Sequence, residues 1–166
     1  MQAWLAPSLR RFYPSSPVEV SPTLRLEAAR GERVSFQVVF RTEARDECVQ
    51  ARVDAHDGLA PIVRRVGYVP VTHLSTKTPA SDIEGLSYLP GYAPDPLLPE
   101  PTVHAGPFET NAFWVTLTVP ADLPPDVYPV EVMLSSDAAE PVTLTTSVSV
   151  HDVVSPRRAL PVTNWL

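Results

Sequence analysis

The residues of this chain that could do acid–base or metal chemistry are few, and their spacing matches no known site. The four histidines are His56, His73, His104 and His151. None of them stands at metal-ligand spacing from a second histidine or from Cys48, the only cysteine. We therefore expect the histidines to be exposed residues of turns or strand ends, and we predict no metal site and no cofactor.

Nucleophilic and carboxylate catalysis also lack a recognisable motif. The sequence contains no GxSxG elbow, P-loop, HExxH or dinucleotide fingerprint. Asp46-Glu47 is the only adjacent acidic pair, and its charged neighbours are typical of an exposed turn. Cys48 falls in a strand pattern, in which a small buried hydrophobe is its usual role. Further carboxylates lie in the middle of the chain with no spacing that shows convergence: Asp82, Glu84, Asp95, Glu100 and Glu109. We predict no catalytic residue.

Length and charge narrow the possible classes of protein. At 166 residues the chain fits one domain, residues 1–166, with a core that needs no disulfide. The formal net charge is −6 and the 13 basic residues are scattered, so nucleic acid is an improbable partner. The start of the chain lacks a signal-peptide pattern, and no apolar run approaches a transmembrane length. We expect a cytoplasmic or processed protein without a membrane anchor.

The elements that must position any site are β-strands. The clearest signal is RVSFQVVFR at residues 33–41, where apolar and polar residues alternate as in a strand with one buried face. Six other segments follow the same rule: residues 24–29, 48–55, 64–71, 111–119, 127–134 and 142–150. Short turns separate most of them. The pattern predicts an all-β, antiparallel two-sheet β-sandwich, immunoglobulin-like or jelly-roll-like.

Residues 72–110 break this rhythm and show no clean strand. The segment is rich in aromatic and aliphatic residues, which argues against disorder, so we predict a long ordered loop excursion that packs on the sandwich or on a partner. It contains APDPLLPEP, residues 93–101, with four prolines in nine residues, which can be neither helix nor central strand. We expect this stretch to be extended, with Leu97 and Leu98 docked and Asp95 capping a local turn.

Aromatic residues are the natural candidates for a binding surface. Tyr88 and Tyr92 could form an exposed platform for a carbohydrate or a peptide, although tyrosines that anchor a loop to its own domain are more common. Phe113 and Trp114 put bulk on both faces of one strand, so one face could be covered by something other than the sandwich core. For Trp114 itself, core packing is the favoured position.

Five motifs in order now resemble a known family. They are ARGERVSFQVVF, VGYVPV, PDPLLP, FWVTLTVPADLPPDVYPVEV and LPVTNWL, and together they span about residues 24–166. This set is similar to the N-terminal β-sandwich of glycoside hydrolase family 123 and of related proteins without an assigned function. In that family a (β/α)8 barrel follows the sandwich and supplies an adjacent Asp-Glu pair. Family members act on β-linked N-acetylgalactosamine.

The resemblance implies a non-catalytic accessory domain that packs against a catalytic barrel of the same polypeptide. It gives Asp46-Glu47 no catalytic role, because the family's pair belongs to the barrel. It also implies that the chain is a fragment that continues past Leu166, with Asn164 and Trp165 near the partner. The candidate interface or ligand residues are Tyr88, Tyr92, Asp95, Leu97, Leu98, Asn164 and Trp165. A stand-alone carbohydrate-binding module, or a protein-interaction module that uses a sheet edge, remains the alternative.

Overall fold

The computed structural model describes residues 1–20 and 23–155, which form ten β-strands and no α-helix. The strands are β1 (Gln2–Pro7), β2 (Arg25–Arg30), β3 (Arg33–Arg41), β4 (Glu47–Ala55), β5 (Ala60–Val71), β6 (Gly91–Leu98), β7 (Thr102–Ala105), β8 (Thr110–Thr118), β9 (Val127–Ser136) and β10 (Val142–Val154). Two single turns of 3-10 helix, Ala80–Asp82 and Leu86–Tyr88, lie between β5 and β6.

The strands form two sheets of five that face each other. Sheet A has the order β1-β3-β8-β5-β6, and sheet B has the order β2-β10-β9-β4-β7. The predicted all-β sandwich is therefore confirmed. One pair departs from the antiparallel prediction, since β2 runs parallel to β10. No hairpin joins these two strands, and the long stretch of chain between them leaves either direction open.

The main core lies between the two sheets and follows from alternation along the strands. Phe36, Val38 and Phe40 of β3 have no exposed surface, and the same is true of Phe113 and Val115 on β8. Sheet B contributes the facing aliphatic side chains, among them Val49, Val130, Val132, Leu134 and Val148. Because successive side chains of a strand point to opposite faces, the register of β3 and β8 fixes which residues remain for the outer face of sheet A.

All seven predicted strands are present, and three others had not been predicted. β1 lacks the alternation of polar and apolar residues that marks a strand with one exposed face. Trp4, Leu5 and Ala6 are all buried, so both faces of β1 are covered. β6 and β7 lie within residues 72–110, so the prediction of an excursion without strands was wrong. Only residues 72–90 of that segment lie outside the strands before β6.

The proline-rich stretch forms most of β6, the edge strand of sheet A. Pro94 pairs with Tyr68 and Leu97 pairs with Val66, with an irregularity in the register between them. Proline is compatible with an edge because it has no N–H to donate to a further strand. The expectation of an extended segment that is not a central strand is thus confirmed. Since Pro94 and Pro96 offer no donors, strand addition at this edge is disfavoured.

Leu97 and Leu98 take opposite faces of β6. Leu98 is opposite Arg65 and is half-buried, and a Cβ added to Gly67 would lie 3.0 Å from its Cδ1 atom. Leu97 is opposite Val66 and is 40% exposed. The two leucines therefore dock unequally on the sandwich.

We expect Leu98→Ser to lower the free energy of unfolding by about 1–2 kcal/mol, because a half-buried leucine loses most of its apolar contact. Leu97→Ser should lower it by less than half as much, since its side chain already meets solvent. Thermal unfolding of the two variants, monitored by circular dichroism, shows which substitution destabilises the protein more. Equal effects, or a larger effect of Leu97→Ser, would contradict this placement of β6.

A second apolar cluster covers the outer face of sheet A. Trp4, Phe12 and Val39 are its largest buried members, and the rings of Trp4 and Phe12 meet edge to face at 5.9 Å. Phe12 belongs to residues 8–20, a segment without regular structure that lies over the sheet. The Tyr68 hydroxyl anchors this segment by bonding to the carbonyl oxygens of Phe12, at 3.1 Å, and Thr110, at 2.8 Å.

Candidate functional site

A groove with a volume of about 320 Å³ opens on the outer face of sheet A, beside the second apolar cluster. We call it the Trp114 groove. Its lining comes from residues 8–11, from the segment before β6 and from four strands of the sheet. The lining residues are Ser8, Leu9, Arg10, Arg11, Gln37, Val66, Glu84, Pro94, Asp95, Leu97 and Trp114.

Strand residues form the floor of the groove. Trp114 is opposite Gln37 in the register of β8 and β3, and it packs partly buried against the second cluster. Its Nε1–H group donates to Oγ1 of Thr116 at 3.2 Å, which holds the indole in one orientation. The core packing expected for Trp114 holds only in part: Phe113 takes the inner face of β8, and Trp114 packs, partly buried, against the second cluster on the outer face.

The wall formed by residues 7–11 is held to the floor by Gln37. Its Nε2 atom donates to the carbonyl oxygens of Arg10, at 2.7 Å, and Pro7, at 3.2 Å. The opposite wall is β6, which contributes Pro94, Asp95 and Leu97. Hydrogen bonds from Gln37 therefore hold the first wall and strand pairing holds the second. The groove is thus a preformed feature of the fold.

An ion pair between Arg11 and Glu84 forms part of the lining of the groove. Glu84 comes from the segment before β6, and this segment is held in place by Tyr88, whose ring stacks on Tyr13 with 4.5 Å between centroids. The Tyr13 hydroxyl also donates to the Glu84 carbonyl oxygen at 3.3 Å. Burial, followed by the nearby Glu84 carboxylate, raises the pKa of Tyr13, so this hydroxyl keeps its proton as a donor.

The two arginines that line the groove are each paired with a glutamate, and Asp95 is a lining carboxylate left without such a pair among the residues that the structure describes. Arg10 forms a two-bond pair with Glu19 at 2.6 and 2.7 Å, and Arg11 pairs with Glu84. Asp95 is exposed and forms no hydrogen bond or ion pair within the described part of the chain. The groove therefore holds one carboxylate that is free to accept hydrogen bonds from a ligand.

A second depression, about 380 Å³ in volume, lies on the other side of the Tyr13–Tyr88 stack, and we call it the tyrosine cleft. Tyr92 and Phe108 line it, and they are 58% and 59% exposed. Phe108 has a φ of 55°, in the left-handed region that side chains other than glycine rarely adopt. A strained backbone at an exposed aromatic residue is a reason to suspect a role in binding.

The residues predicted for a site divide between these two features. Tyr88 and Tyr92 both line the tyrosine cleft, although Tyr88 also anchors its own segment through the stack on Tyr13. Asp95 and Leu97 line the Trp114 groove, while Leu98 faces Gly67. Asp95 lies within β6 and caps no turn, so that expectation was wrong. The remaining two candidates, Asn164 and Trp165, lie outside the described residues.

Of the carboxylates between residues 72 and 110, Glu84 and Asp95 both line the Trp114 groove, while Glu100 and Glu109 lie elsewhere. Glu84 pairs with Arg11, while Glu100 bonds to Arg65 at 3.2 Å near the end of β6. A backbone hydrogen bond, followed by the Arg65 side chain, lowers the pKa of Glu100. Glu109 accepts a hydrogen bond from the Gly106 amide at 2.7 Å. Glu100 and Glu109 thus have local structural partners away from the groove.

The charged neighbours of Asp46-Glu47 predict that both residues lie in an exposed turn, and this holds for only one of them. Asp46 is exposed, but Glu47 is buried, and its Oε2 atom accepts a hydrogen bond from the Ser136 hydroxyl at 2.8 Å. Glu47 begins β4 and its side chain turns inward at the sheet edge beside β7. The polar partner on β9 explains why the carboxylate is tolerated there.

A pairing of Cys48 with His104 was not apparent from the sequence. These residues lie opposite each other on β4 and β7, with 3.9 Å between Sγ and Nε2. Cys48 is half-buried on the outer face of sheet B, which corrects the expectation of a buried position. Among the described residues no group of three or more potential metal ligands occurs. The exposure predicted for the histidines is confirmed for all four of them.

Comparison with known proteins gives a structural likeness without support from sequence. No family model matches the chain, and no curated protein matches it either. A family 123 glycoside hydrolase from Clostridium perfringens, described in a study of glycolipid glycan hydrolysis, superposes with a TM-score of 0.69 at 11% identity. The match covers 93% of this chain and 28% of the glycoside hydrolase. The chain thus spans less than a third of that protein, and the likeness concerns the fold alone.

Other solved structures superpose less closely. The periplasmic chaperone SfaE matches with a TM-score of 0.39 at 10% identity, covering 93% of this chain and 60% of the chaperone. A type I cohesin–dockerin complex from Clostridium thermocellum gives a TM-score of 0.40 at 13% identity, covering 76% of this chain and 94% of the matched chain.

The described residues contain no helix of the length and apolar character that a membrane span requires.

Proposed function

We propose that this chain is a non-catalytic accessory β-sandwich of a larger polypeptide and that it packs against a neighbouring catalytic barrel. The observation that carries the proposal is the superposition of 93% of the chain on 28% of a family 123 glycoside hydrolase. The five sequence motifs resemble the same family, although no family model matches the chain. The parent activity would then be that of a β-N-acetylgalactosaminidase, with the catalytic groups supplied by the barrel.

The tyrosine cleft is the face that we assign to the contact with the barrel. Tyr92 and Phe108 expose more than half of their surface there, and exposed aromatic residues are typical of the centre of an interface. The left-handed φ of Phe108 directs a large apolar side chain outward at an energetic cost, which contact with a neighbouring domain would offset.

The mass and activity of the native protein test the accessory role. Antibodies raised against this 18.2 kDa chain should detect, in extracts of its source cells, a polypeptide several times larger. The purified larger polypeptide should hydrolyse an aryl β-N-acetylgalactosaminide, and the isolated chain should not. A native polypeptide of 18.2 kDa would refute the accessory role. A large polypeptide inactive on this glycoside would refute only the parent activity.

Charge placed in the tyrosine cleft tests the docking face. We expect Tyr92→Asp and Phe108→Asp to leave the melting temperature of the isolated chain within about 2 °C, because both side chains are mostly exposed. In the full polypeptide the same changes should lower the melting temperature by several degrees, since each would bury a carboxylate without a partner. Val127→Asp, at a residue that is 59% exposed at the start of β9, serves as the control. Equal effects of all three changes would rule out this face.

A further inference from the structure

We propose that the Trp114 groove binds a neutral saccharide. One pyranose ring lies against the indole of Trp114, and its hydroxyl groups bond to Asp95 and to the Arg11–Glu84 pair. The inference does not rest on the accessory role, because every residue of the groove belongs to the sandwich itself. It concerns a different surface from the tyrosine cleft, and it can be tested on the isolated chain.

The aromatic surface is the first argument. Trp114 lies on the central strand of sheet A, is partly buried against the second cluster, and is held by the bond from its N–H group to Thr116. Thr116 is itself bonded to the Ser35 hydroxyl at 3.0 Å. An indole fixed in this way loses little freedom when a ligand binds. It offers a flat apolar surface on which the C–H groups of a sugar ring can stack.

The polar groups around the indole are the second argument. Sugar hydroxyls both donate and accept hydrogen bonds, so a site for them needs acceptors and donors on the same rim. The carboxylates of Asp95 and Glu84 accept, and the guanidinium of Arg11 donates. Asp95 has no partner of its own in the described residues, which leaves both of its oxygens available for charged hydrogen bonds.

The charges of the groove disfavour an anionic ligand. Arg10 and Arg11 are already paired with Glu19 and Glu84, so Asp95, which has no partner among the described residues, gives the groove one uncompensated negative charge. Asp95 would repel a phosphate or a carboxylate, and a cation could not accept the hydrogen bonds that the Arg11 guanidinium offers, whereas a hydroxyl group can both donate and accept. A polyhydroxyl compound satisfies these groups without adding a net charge.

The shape of the groove sets the size of the ligand. Its volume of about 320 Å³ lies at the lower end of the range for small-molecule sites, roughly 300–1,000 Å³. The exposed side chains of Leu9 and Leu97, on opposite walls, could flank the edges of a ring. We therefore infer a site for one or two sugar units at the end or within a branch of a glycan.

The test is a titration of the isolated chain with neutral hexoses, N-acetylhexosamines and their β-linked disaccharides. The readout is the NMR signal of the Trp114 indole N–H group, which moves if a sugar ring stacks on the indole. We expect at least one of these sugars to bind with a Kd of about 1 mM, since the site offers few hydrogen bonds. Asp95→Asn should weaken binding about tenfold by removing a charged acceptor. Trp114→Ala should abolish sugar binding over the concentrations titrated.

The control is Tyr92→Ala, which removes an exposed aromatic residue from the tyrosine cleft and should leave the Kd unchanged. Because Trp114→Ala removes a partly buried ring, circular dichroism is used to check that this variant folds. If the variant does not fold, the effect of Asp95→Asn decides the test. No shift of the Trp114 signal by any sugar up to about 50 mM would overturn the proposal. Binding that survives Asp95→Asn unchanged, or that is lost with Tyr92→Ala, would overturn it as well.

Discussion

Replacing Phe113 by alanine is expected to lower the free energy of unfolding by about 3–5 kcal/mol. Phe113 has no exposed surface, lies on the inner face of β8, and stacks on Phe40 with 5.7 Å between ring centroids. Its removal leaves a cavity between two sheets whose backbones are fixed by their ladders, so little collapse can relieve it. The melting temperature should fall by roughly 6 to 20 °C, and urea unfolding gives the free energy directly.

Phe108→Ala is the matched control, because it deletes the same ring from a position that is 59% exposed. We expect it to change the free energy of unfolding by about 0.5 kcal/mol or less. If the two substitutions had similar effects, Phe113 could not lie between the sheets. The register of β8, and with it the outward position of Trp114, would then be wrong.

Much of the fold could be predicted because one face of most strands meets solvent. β9 alternates between buried and exposed residues over most of its length, and the sequence shows this alternation directly. β3 alternates only in residue type, because Phe36 to Phe40 are all buried and both of its faces are covered. β1 could not be predicted, because residues 8–20 cover its outer face and remove the polar positions that mark a strand. β6 was missed for another reason. Its prolines suit only an edge, and which strand is an edge depends on the whole topology.

The Trp114 groove could be predicted from the sequence only in part. Phe113 and Trp114 in succession did indicate that both faces of β8 are covered, and Asp95 and Leu97 had been singled out on β6. What brings Trp114 next to them is the order of strands in sheet A, in which β5 separates β8 from β6. Arg11 reaches the same place through a loop, and no periodic pattern could have shown that contact. Long-range topology, not residue type, was the missing information.

The position of the Arg11–Glu84 pair in the groove depends on a glycine, and Gly85→Ala should displace the pair. Gly85 has a φ of 73°, which costs alanine about 1–2 kcal/mol, and an added Cβ would overlap the hydroxyl of the buried Tyr13. Tyr13 would have to leave its stack on Tyr88, for a total loss of about 2–3 kcal/mol. The Arg11–Glu84 pair would separate with it, so saccharide affinity should fall together with stability.

Hydrogen exchange shows which part of the chain Gly85→Ala destabilises. The amides of residues 83–89 should exchange at least about tenfold faster in Gly85→Ala, while the inner strands of sheet B keep their protection. Gly106→Ala is the control, because its φ is not in the left-handed region and the nearest atom to its added Cβ, a Glu109 oxygen, lies 3.3 Å away. Unchanged exchange in Gly85→Ala would mean that the stack of Tyr13 on Tyr88 does not hold the segment. Glu84 could then have no fixed place in the groove, and Asp95 would be the one carboxylate left to orient a sugar.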